Sequence, residues 1–451
     1  MANTKLNRTA GSTGNRKKWT WSGWVKRAAV KGTTDAKGGL FSTYTDGNNR
    51  FDFGIDANHR FFLKEKEGSG ATVIDFTTNR LFLDPSAFYH FVIAMDTTQS
   101  TASNRLKIYL NGEQITSWLD STYPSQNRDT LMNVSGRTYI IGSTDGSSNY
   151  WNGLMSHVHF CDGTALAPTV FGSTDSTTGQ WKINTAPTFT PGTNGFTILK
   201  DGKTITDQSS NSNNFSLGGG TLTKTEDCPN NVFATLNPLA PSASGLDIRN
   251  GNTHVFNDDD NNAFQTVPAT LAIPPTAKIY WEIKCVTVWG SANCENHGIT
   301  DLDNTIQALT GQASANANSF AWRNNASFVT GGSVISGTTW ASSYTTGDFL
   351  MFALDNANGA LYAGKNGTWL NSGNPTSGSS KTGALSVTAG LNYAPHSELK
   401  YGSDKPAYNF GNGHFVTTAI SSAGTNASGN GIFEYAVPSG YTALSTKGLN
   451  L

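Results

Sequence analysis

The stretch "DNANGALYAGKNGTWLNSG", residues 355–373, has the pattern of two short strands joined by a tight turn. A mainly apolar run at 360–364 precedes Lys365-Asn366-Gly367, and residues 368–370 resume the strand pattern. An Asn-Gly pair between such runs predicts a β-hairpin, because both central residues of a type I′ turn need positive φ. The stretch therefore predicts antiparallel β-structure in this part of the chain.

The composition extends this prediction to all 451 residues. Charged residues make up only 14% of the chain, against roughly 25% in ordinary soluble domains, and 48 residues are glycine. No stretch longer than about ten residues places apolar side chains at the helical spacing of 3.6. We therefore expect an all-β protein, built as two antiparallel β-sandwich domains joined by an irregular segment.

The strand pattern divides the chain into three parts. Residues 1–180 contain closely spaced alternating runs, such as "WTWSGWVKR", in which Trp19, Trp21 and Val25 alternate and Trp24 is out of phase. Residues 181–240 form a connecting segment rich in Asn, Ser, Gly and Pro. Residues 241–451 hold a second series of strands and end in an extended tail.

Charge and hydropathy exclude several classes of protein. A formal net charge of −1 argues against a nucleic-acid binder, which needs a basic surface. The N-terminus lacks the apolar core of a secretory signal, and no run approaches the ~20 apolar residues of a membrane span. We expect synthesis in a cytoplasm, no membrane insertion, and free thiols, with a Cys285–Cys294 pair as the alternative.

Several long phrases resemble virion proteins of marine, cyanobacterial-type tailed bacteriophages. In residues 1–180, "TNRLFLDPSAFYHFVIAMDTTQSTASNRLKIYLNGEQ" and "YWNGLMSHVHFCDGTALAPTVFG" resemble laminin-G-like, concanavalin A-like jelly rolls of those particles. "DQSSNSNNFS" and "TEDCPNNVFATLNPL" resemble the segment that follows there. Residues 278–445 are similar to a SPRY-like β-sandwich, through "KIYWEI", "GDFLMFALDNANGALYAGKNGTW" and "YNFGNGHF".

The resemblance implies a component of a phage particle, such as a fibre, a tail appendage or a capsid decoration. It implies other virion proteins as partners, a homo-oligomer, and a location in the virion without secretion. It also places residues 355–373 in the framework of the SPRY-like domain. We therefore interpret Leu361, Ala363 and the indole of Trp369 as filling sandwich faces, and not as a binding site.

Two pairs of side chains have the alternation that places both on one strand face. Glu65 and Glu67 match the alternation of retaining glucanases, whose two carboxyls lie about 5 Å apart, but lysines flank them and glycine ends the run. His157 and His159 offer two metal ligands without a third nearby. We favour a structural role for both pairs, and we expect no catalytic residues and no enzyme activity.

An acidic run near residue 258 is a candidate calcium site. Asn257, Asp258 and Asp260 supply oxygen ligands of the kind that Ca²⁺ prefers, but the run lacks the spacing and glycine of an EF-hand. We favour a solvated loop, so we expect no cofactor, with calcium as the alternative.

Aromatic residues are the candidates for binding, because sugar rings stack their C–H faces on Trp and Tyr. Asn149, Tyr150 and Trp151 lie on one turn, and Trp118 and Tyr123 lie in another loop. For Trp151 we favour a place in the core.

We therefore expect a non-enzymatic phage virion protein that contributes to attachment to a host-surface polysaccharide or receptor. The alternative is a purely structural adaptor or decoration protein that contacts only virion chains. A polysaccharide depolymerase is a third hypothesis, and it requires a pair of carboxylates in a cleft.

Overall fold

The computed structural model describes residues 3–28, 38–240, 245–257, 263–290, 294–305, 312–335 and 342–450. The chain divides into two compact units, unit 1 (residues 1–222) and unit 2 (residues 223–451). In both units the described residues form two large, mainly antiparallel sheets with an apolar core. The predicted all-β class with two sandwiches is therefore confirmed.

Unit 1 contains sixteen strands within its described residues. In chain order they are β1 Lys5–Thr9, β2 Lys18–Arg27, β3 Gly38–Asp46, β4 Asn49–Ile55, β5 Arg60–Glu67, β6 Ala71–Leu81, β7 Tyr89–Asp96, β8 Leu106–Leu110, β9 Glu113–Gln114, β10 Trp118–Thr122, β11 Thr138–Ile141, β12 Gly153–Asp162, β13 Gly172–Thr174, β14 Trp181–Ile183, β15 Phe196–Ile198 and β16 Ser216–Gly219. One sheet has the order β10-β6-β5-β4-β3-β11-β1-β16, and the other has the order β15-β12-β2-β7-β8-β9. Strands β13 and β14 form a separate hairpin.

The alternation of β2 builds the core of unit 1. Trp19 and Trp21 point between the sheets, where their rings meet Phe51 at 5.3 Å and Phe53 at 4.9 Å, both edge to face. The out-of-phase Trp24 lies on the opposite face and stacks on the His90 ring. Because successive strand residues face opposite sides, the sequence pattern predicted this division correctly.

Unit 2 contains seventeen strands and one short α-helix within its described residues. In chain order they are β17 Leu246–Arg249, β18 His254–Asn257, β19 Gln265–Pro268, β20 Lys278–Cys285, β21 Glu295–Asp301, α1 Leu302–Thr305, β22 Phe320–Arg323, β23 Phe328–Thr330, β24 Ser333–Val334, β25 Phe349–Asp355, β26 Ala360–Lys365, β27 Thr368–Trp369, β28 Leu385–Ser386, β29 Tyr393–Leu399, β30 Pro406–Asn409, β31 His414–Phe415, β32 Thr418–Ala419 and β33 Thr442–Ala443. One sheet has the order β17-β18-β30-β20-β25-β26-β27, with β28 beside β26 and β33 beside β20. The other has the order β19-β29-β21-β22-β23-β24, and β31 pairs with β32.

The hairpin of residues 355–373 forms as its sequence predicts. Asn366 and Gly367 have φ of +49° and +85°, and they join β26 to β27. Leu361 and Ala363 are buried in the main core, and Trp369 packs edge to face on Tyr280 at 6.3 Å. The stretch therefore belongs to the framework of unit 2.

The polar segment 181–240 is shared between the units. Its first part contributes β14, β15 and β16 to unit 1. Its last part packs in unit 2, where Ala234 and Leu236 are fully buried and the Ala234 N–H donates to the Leu444 carbonyl at 2.9 Å. The boundary between the units thus lies inside this segment.

The C-terminal residues pack against the second sandwich. Strand β33 pairs in parallel with β20, one of the inner strands of its sheet. Phe433, Tyr441 and Leu444 are buried. The residues expected as an extended tail are thus part of the core of unit 2.

Two further findings concern the cysteines and the membrane. All four cysteines are free thiols, and Cys285 and Cys294 are both buried. Within the described ranges, no helix has the length and apolar character needed to cross a membrane.

Candidate functional site

Trp118 and Tyr123 lie at the free edge of the larger sheet of unit 1. Strand β10 is the outermost strand there, and it begins at Trp118. Both aromatic rings meet Phe76 edge to face, at 5.0 Å for Trp118 and 4.8 Å for Tyr123. Both rings are only partly buried, so the structure brings these two predicted residues together on an accessible edge.

The surface around this aromatic pair suits a saccharide. Leu119, directly after Trp118, is 52% exposed, and Asp120, Ser121 and Thr122 are exposed as well. Aromatic rings for sugar C–H groups and exposed polar side chains for sugar hydroxyls therefore lie along the same edge strand. We call Trp118, Leu119 and Tyr123 the β10 edge patch.

The second predicted set, Asn149, Tyr150 and Trp151, lies elsewhere, because four strands separate β11, which precedes this turn, from β10. Asn149 has φ of +50° and donates its side-chain amide to Asp145. The Tyr150 hydroxyl donates to the Gly146 carbonyl at 3.5 Å. These polar groups therefore hold the turn itself.

Asp145 organises that turn, and Trp151 packs beneath it. Partial burial opposes the charge of Asp145, but hydrogen bonds from Ser148 and Ser147 outweigh it and lower the pKa of this carboxyl to about 2. The Trp151 ring packs against the apolar core, and its Nε1 donates to the Leu154 carbonyl at 3.3 Å. The preferred interpretation of Trp151 as a core residue is consistent with this partly buried position.

Glu65 and Glu67 share one face of β5, and both contact Arg128. The guanidinium donates to Glu65 Oε1 at 3.1 Å from Nε and at 2.8 Å from Nη2, and its Nη2 also contacts Glu67. Glu65 is fully buried, and burial raises the pKa of its carboxyl despite these contacts. The Leu131 N–H also donates to Glu65, so the Glu65 carboxylate fixes the loop of residues 128–131 at both ends.

His157 and His159 lie near each other, with ring centroids 6.3 Å apart. His157 has φ of +49° at an irregularity in β12, and its Nδ1 meets the Ser156 hydroxyl at 2.7 Å. His159 Nδ1 meets the Thr197 hydroxyl at 3.0 Å. Burial lowers the pKa of His157 to about 4 and of His159 to about 3, so both rings are neutral at pH 7.

These histidines belong to an aromatic cluster that the sequence did not reveal. His90 stacks between Trp24 at 4.5 Å and Trp181 at 6.0 Å, and the Trp181 Nε1 donates to its Nδ1 at 3.0 Å. His159 stacks on Phe171 at 5.5 Å. Trp181 lies in the segment expected to be irregular, where no strand pattern marked it. The cluster packs the outer face of the smaller sheet.

Nothing in the described part of the chain forms a group of three or more metal-ligating side chains. Of the calcium candidates, Asp258 and Asp260 lie outside the described residues. Asn257 is fully buried, and its side-chain amide donates to the Leu399 carbonyl at 3.4 Å.

Trp289 of unit 2 is an exposed aromatic residue that the sequence analysis did not single out. It is 44% exposed, more than any other aromatic side chain in the described ranges, and its ring lies 5.8 Å from Tyr401. Its backbone N–H donates to Asp404 at 2.7 Å, which fixes the base of the loop. The signal was a Trp followed by Gly-Ser just beyond a strand, "VTVWGS".

Comparison with known families gives a match for unit 1. Residues 3–171 match the family described as the concanavalin A-like lectin/glucanases superfamily, of laminin-G type. No curated protein matches the chain. The N-terminal sandwich is therefore concanavalin A-like, as predicted.

Solved structures are similar over parts of the chain. The SPRY domain of human HERC1 matches at 12% identity and a TM-score of 0.31, covering 42% of this chain and 99% of that one. The enzymatically active domain of tailspike protein 2 from bacteriophage CBA120 matches at 14% identity and a TM-score of 0.26. The match covers 37% of this chain and 25% of that one. The CBM40 of a Ruminococcus gnavus sialidase, bound to sialyllactose, matches at 15% identity and a TM-score of 0.23. The match covers 34% of this chain and 89% of that one.

Proposed function

We propose that the chain is a non-enzymatic component of a tailed-phage particle whose N-terminal sandwich contributes to attachment to host-surface glycans. It acts as a fibre, a tail appendage or a capsid decoration, with other virion proteins as partners. One observation carries the glycan assignment: a partly exposed aromatic pair at the edge of a concanavalin A-like sandwich. The assignment to a phage particle rests on the sequence resemblance.

In this proposal the sugar stacks on rings that are already held in place. Phe76 supports both Trp118 and Tyr123 from the core, so neither ring must lose much freedom when a ligand binds. Stacking of sugar C–H groups on such fixed rings contributes affinity at a low cost in entropy.

A glycosidase requires two carboxyls that are free to act on a bound sugar. Glu65 and Glu67 have the alternation for this role, but the Arg128 guanidinium occupies both carboxylates, and Glu65 is fully buried. These contacts support attachment over degradation. Release of reducing ends from a host polysaccharide by the purified chain would overturn the non-enzymatic part of the proposal.

Membership of the particle is tested by mass spectrometry of purified virions. The proposal predicts peptides of this chain in intact, density-purified particles, in a constant ratio to other virion proteins. Their absence from intact particles would contradict it.

Attachment is tested by competition of phage adsorption with the purified chain. Micromolar wild-type chain is expected to slow adsorption, and Trp118→Ala is expected to weaken this competition about fivefold through lost stacking. Trp289→Ala serves as the matched control, an exposed Trp in the other unit. Loss of competition by Trp289→Ala alone would move the site to unit 2, and no competition by the wild type would favour the structural adaptor.

A further inference from the structure

A groove of about 600 Å³ lies in unit 1 between β1 and the loop that leads into β16. The two strands pair only from Lys5 to Asn7, and beyond that point they separate. The groove is lined by Asn7, Arg8, Thr9, Gly11 and residues 212–216. We call it the Arg8 groove.

The Arg8 guanidinium is held in this groove by neutral oxygens. Its Nη2 donates to the side-chain oxygens of Asn213 at 2.5 Å and Asn194 at 3.4 Å, and its Nη1 approaches the Asn194 carbonyl at 3.5 Å. In the described part of the chain, Arg8 forms no ion pair with a carboxylate. Partial burial lowers the pKa of Arg8, but a guanidinium stays charged at neutral pH.

The asparagines that hold Arg8 are themselves fixed. The Asn213 amide donates to the carbonyls of Thr193 at 3.1 Å and Gly195 at 2.7 Å, which leaves its oxygen to face Arg8. The Asn194 amide donates to the Ser12 carbonyl at 3.0 Å. The cation is therefore positioned before any ligand arrives, which lowers the entropic cost of binding.

The neighbouring carboxylates are occupied by other donors. Asp207 accepts hydrogen bonds from the backbone N–H groups of Thr197 at 2.9 Å and Asn213 at 2.8 Å, and the loop folds around it. Asp162 accepts from the N–H groups of Asn15 at 2.7 Å and Asn194 at 2.9 Å. Their charges act on Arg8 only over a distance, so the guanidinium keeps N–H groups for an anion.

The groove also offers groups that suit sugar hydroxyls. Ser212, Asn214 and Ser216 are exposed along the rim. A polar groove with one preset cation is complementary to a hydroxyl-rich ligand that carries one anionic group.

We propose that the Arg8 groove binds the anionic group of an acidic saccharide, either the carboxylate of a uronic acid or the sulfate ester of a sulfated sugar. Both groups match the fork of N–H donors on a guanidinium. The inference rests on the proposed function, because it names the class of glycan that unit 1 attaches to. It adds a site on a different part of the sheet from the β10 edge patch.

Ligand-observed NMR titration of the full chain tests this with a matched set of sugars. Glucose, glucuronate and glucose 6-sulfate share one ring and differ in the group on carbon 6. We expect at least one acidic sugar to bind tenfold or more tightly than glucose, with an affinity that falls as salt rises. The better of the two acidic sugars identifies the anionic group. Equal affinity for all three sugars would overturn the proposal.

Two variants locate the effect. Arg8→Gln is expected to reduce the affinity for the preferred acidic sugar to the level of glucose. Ser216→Glu places a negative charge on the exposed rim and leaves the contacts of Arg8 in place. We expect it to lower the affinity for the acidic sugar about fivefold. Unchanged affinity in Ser216→Glu would contradict the site even if Arg8→Gln failed to fold.

Inorganic sulfate provides the last arm. If it displaces the acidic sugar at the same concentration as the sugar itself binds, the groove is an adventitious anion site only, and the saccharide proposal fails. If adsorption competition depends on Trp118 while glucose and the acidic sugars bind equally, this inference fails and the proposed function stands. If the acidic sugars bind at Arg8 but the chain never competes with phage adsorption, the proposed function fails instead.

Discussion

Each sandwich buries a glutamate that fixes a distant segment of chain, and the two do so with different chemistry. In unit 1, Glu65 binds the Arg128 guanidinium and the Leu131 N–H. In unit 2, Glu282 accepts four hydrogen bonds from groups without formal charge: the backbone N–H groups of Glu434 and Tyr435, the Asn409 amide and the Tyr280 hydroxyl. Both carboxyls are fully buried.

The difference shows two ways of stabilising a buried carboxylate. A guanidinium compensates the charge of Glu65 directly, whereas only neutral hydrogen-bond donors stabilise the charge of Glu282. Burial raises the pKa of Glu282 to about 7, against the hydrogen bonds that favour its charged form. Unit 1 therefore fixes its loop through the Arg128 cation. Unit 2 holds its C-terminal segment through Glu282, a carboxyl that titrates near neutral pH.

Removal of the Glu282 side chain gives the largest expected effect. Glu282→Ala removes the acceptor of four hydrogen bonds and creates a cavity, so we expect a loss of about 4 kcal/mol in the free energy of unfolding. Urea denaturation followed by tryptophan fluorescence measures it. Glu434→Ala is the matched control, because only the backbone N–H of residue 434 contacts Glu282. Similar losses in both variants would break the comparison.

Removal of the Arg128 cation in unit 1 is expected to lower the free energy of unfolding somewhat less than Glu282→Ala does. Arg128→Ala strands the buried Glu65 carboxylate, which we expect to cost about 3 kcal/mol, because Glu67 and solvent remain near the site. The double variant Arg128→Met, Glu65→Leu removes both charges and should recover at least half of that loss. A double variant as unstable as Arg128→Ala alone would show that the loop packing, and not the stranded charge, is the cause.

The raised pKa of Glu282 predicts how the stability of the chain depends on pH. Because the folded pKa of Glu282 lies near 7, above its ordinary value of 4.5, the folded chain holds a proton that the unfolded chain has released. Stability from this group is complete below pH 4.5 and is lost as the pH rises to about 7, by on the order of 3 kcal/mol. Glu282→Gln should flatten that part of the stability profile measured by urea denaturation. An unchanged profile would contradict the assignment.

The smallest effect is expected at the hairpin turn of residues 355–373. Gly367 has φ of +85°, and an added Cβ would lie 3.0 Å from the Tyr435 ring. Gly367→Val should therefore cost about 2 kcal/mol of stability, measured by thermal unfolding. Gly47→Ala, at a site with open space and no positive φ, should change stability little. Intact stability together with lost adsorption competition would make this turn a binding site.

Local patterns predicted the framework well. Asn366-Gly367 and the alternation of Trp19, Trp21 and Val25 were readable because turn conformation and strand faces depend on neighbours within a few residues. The Asn/Ser/Gly/Pro-rich segment was not readable in this way. Its contacts, such as Asn213 with Arg8, join residues 205 positions apart, and no periodicity records them.

The candidate site was predictable only in part. Aromatic composition pointed to Trp118 and Tyr123, and the structure brings both onto Phe76. The sequence could not show that Arg128 occupies Glu65 and Glu67, because that pairing depends on how a loop folds back over β5. It also gave no sign that Arg8 lines a groove, since a lone arginine in a strand is usually a solvated edge residue.

Isothermal titration of the purified chain with polysaccharide extracted from the host surface tests the proposed attachment function most directly. We predict saturable binding that Trp118→Ala weakens at least fivefold and that Trp289→Ala leaves unchanged. Absence of binding up to millimolar saccharide, or equal binding by wild type and Trp118→Ala, would contradict attachment through the β10 edge patch.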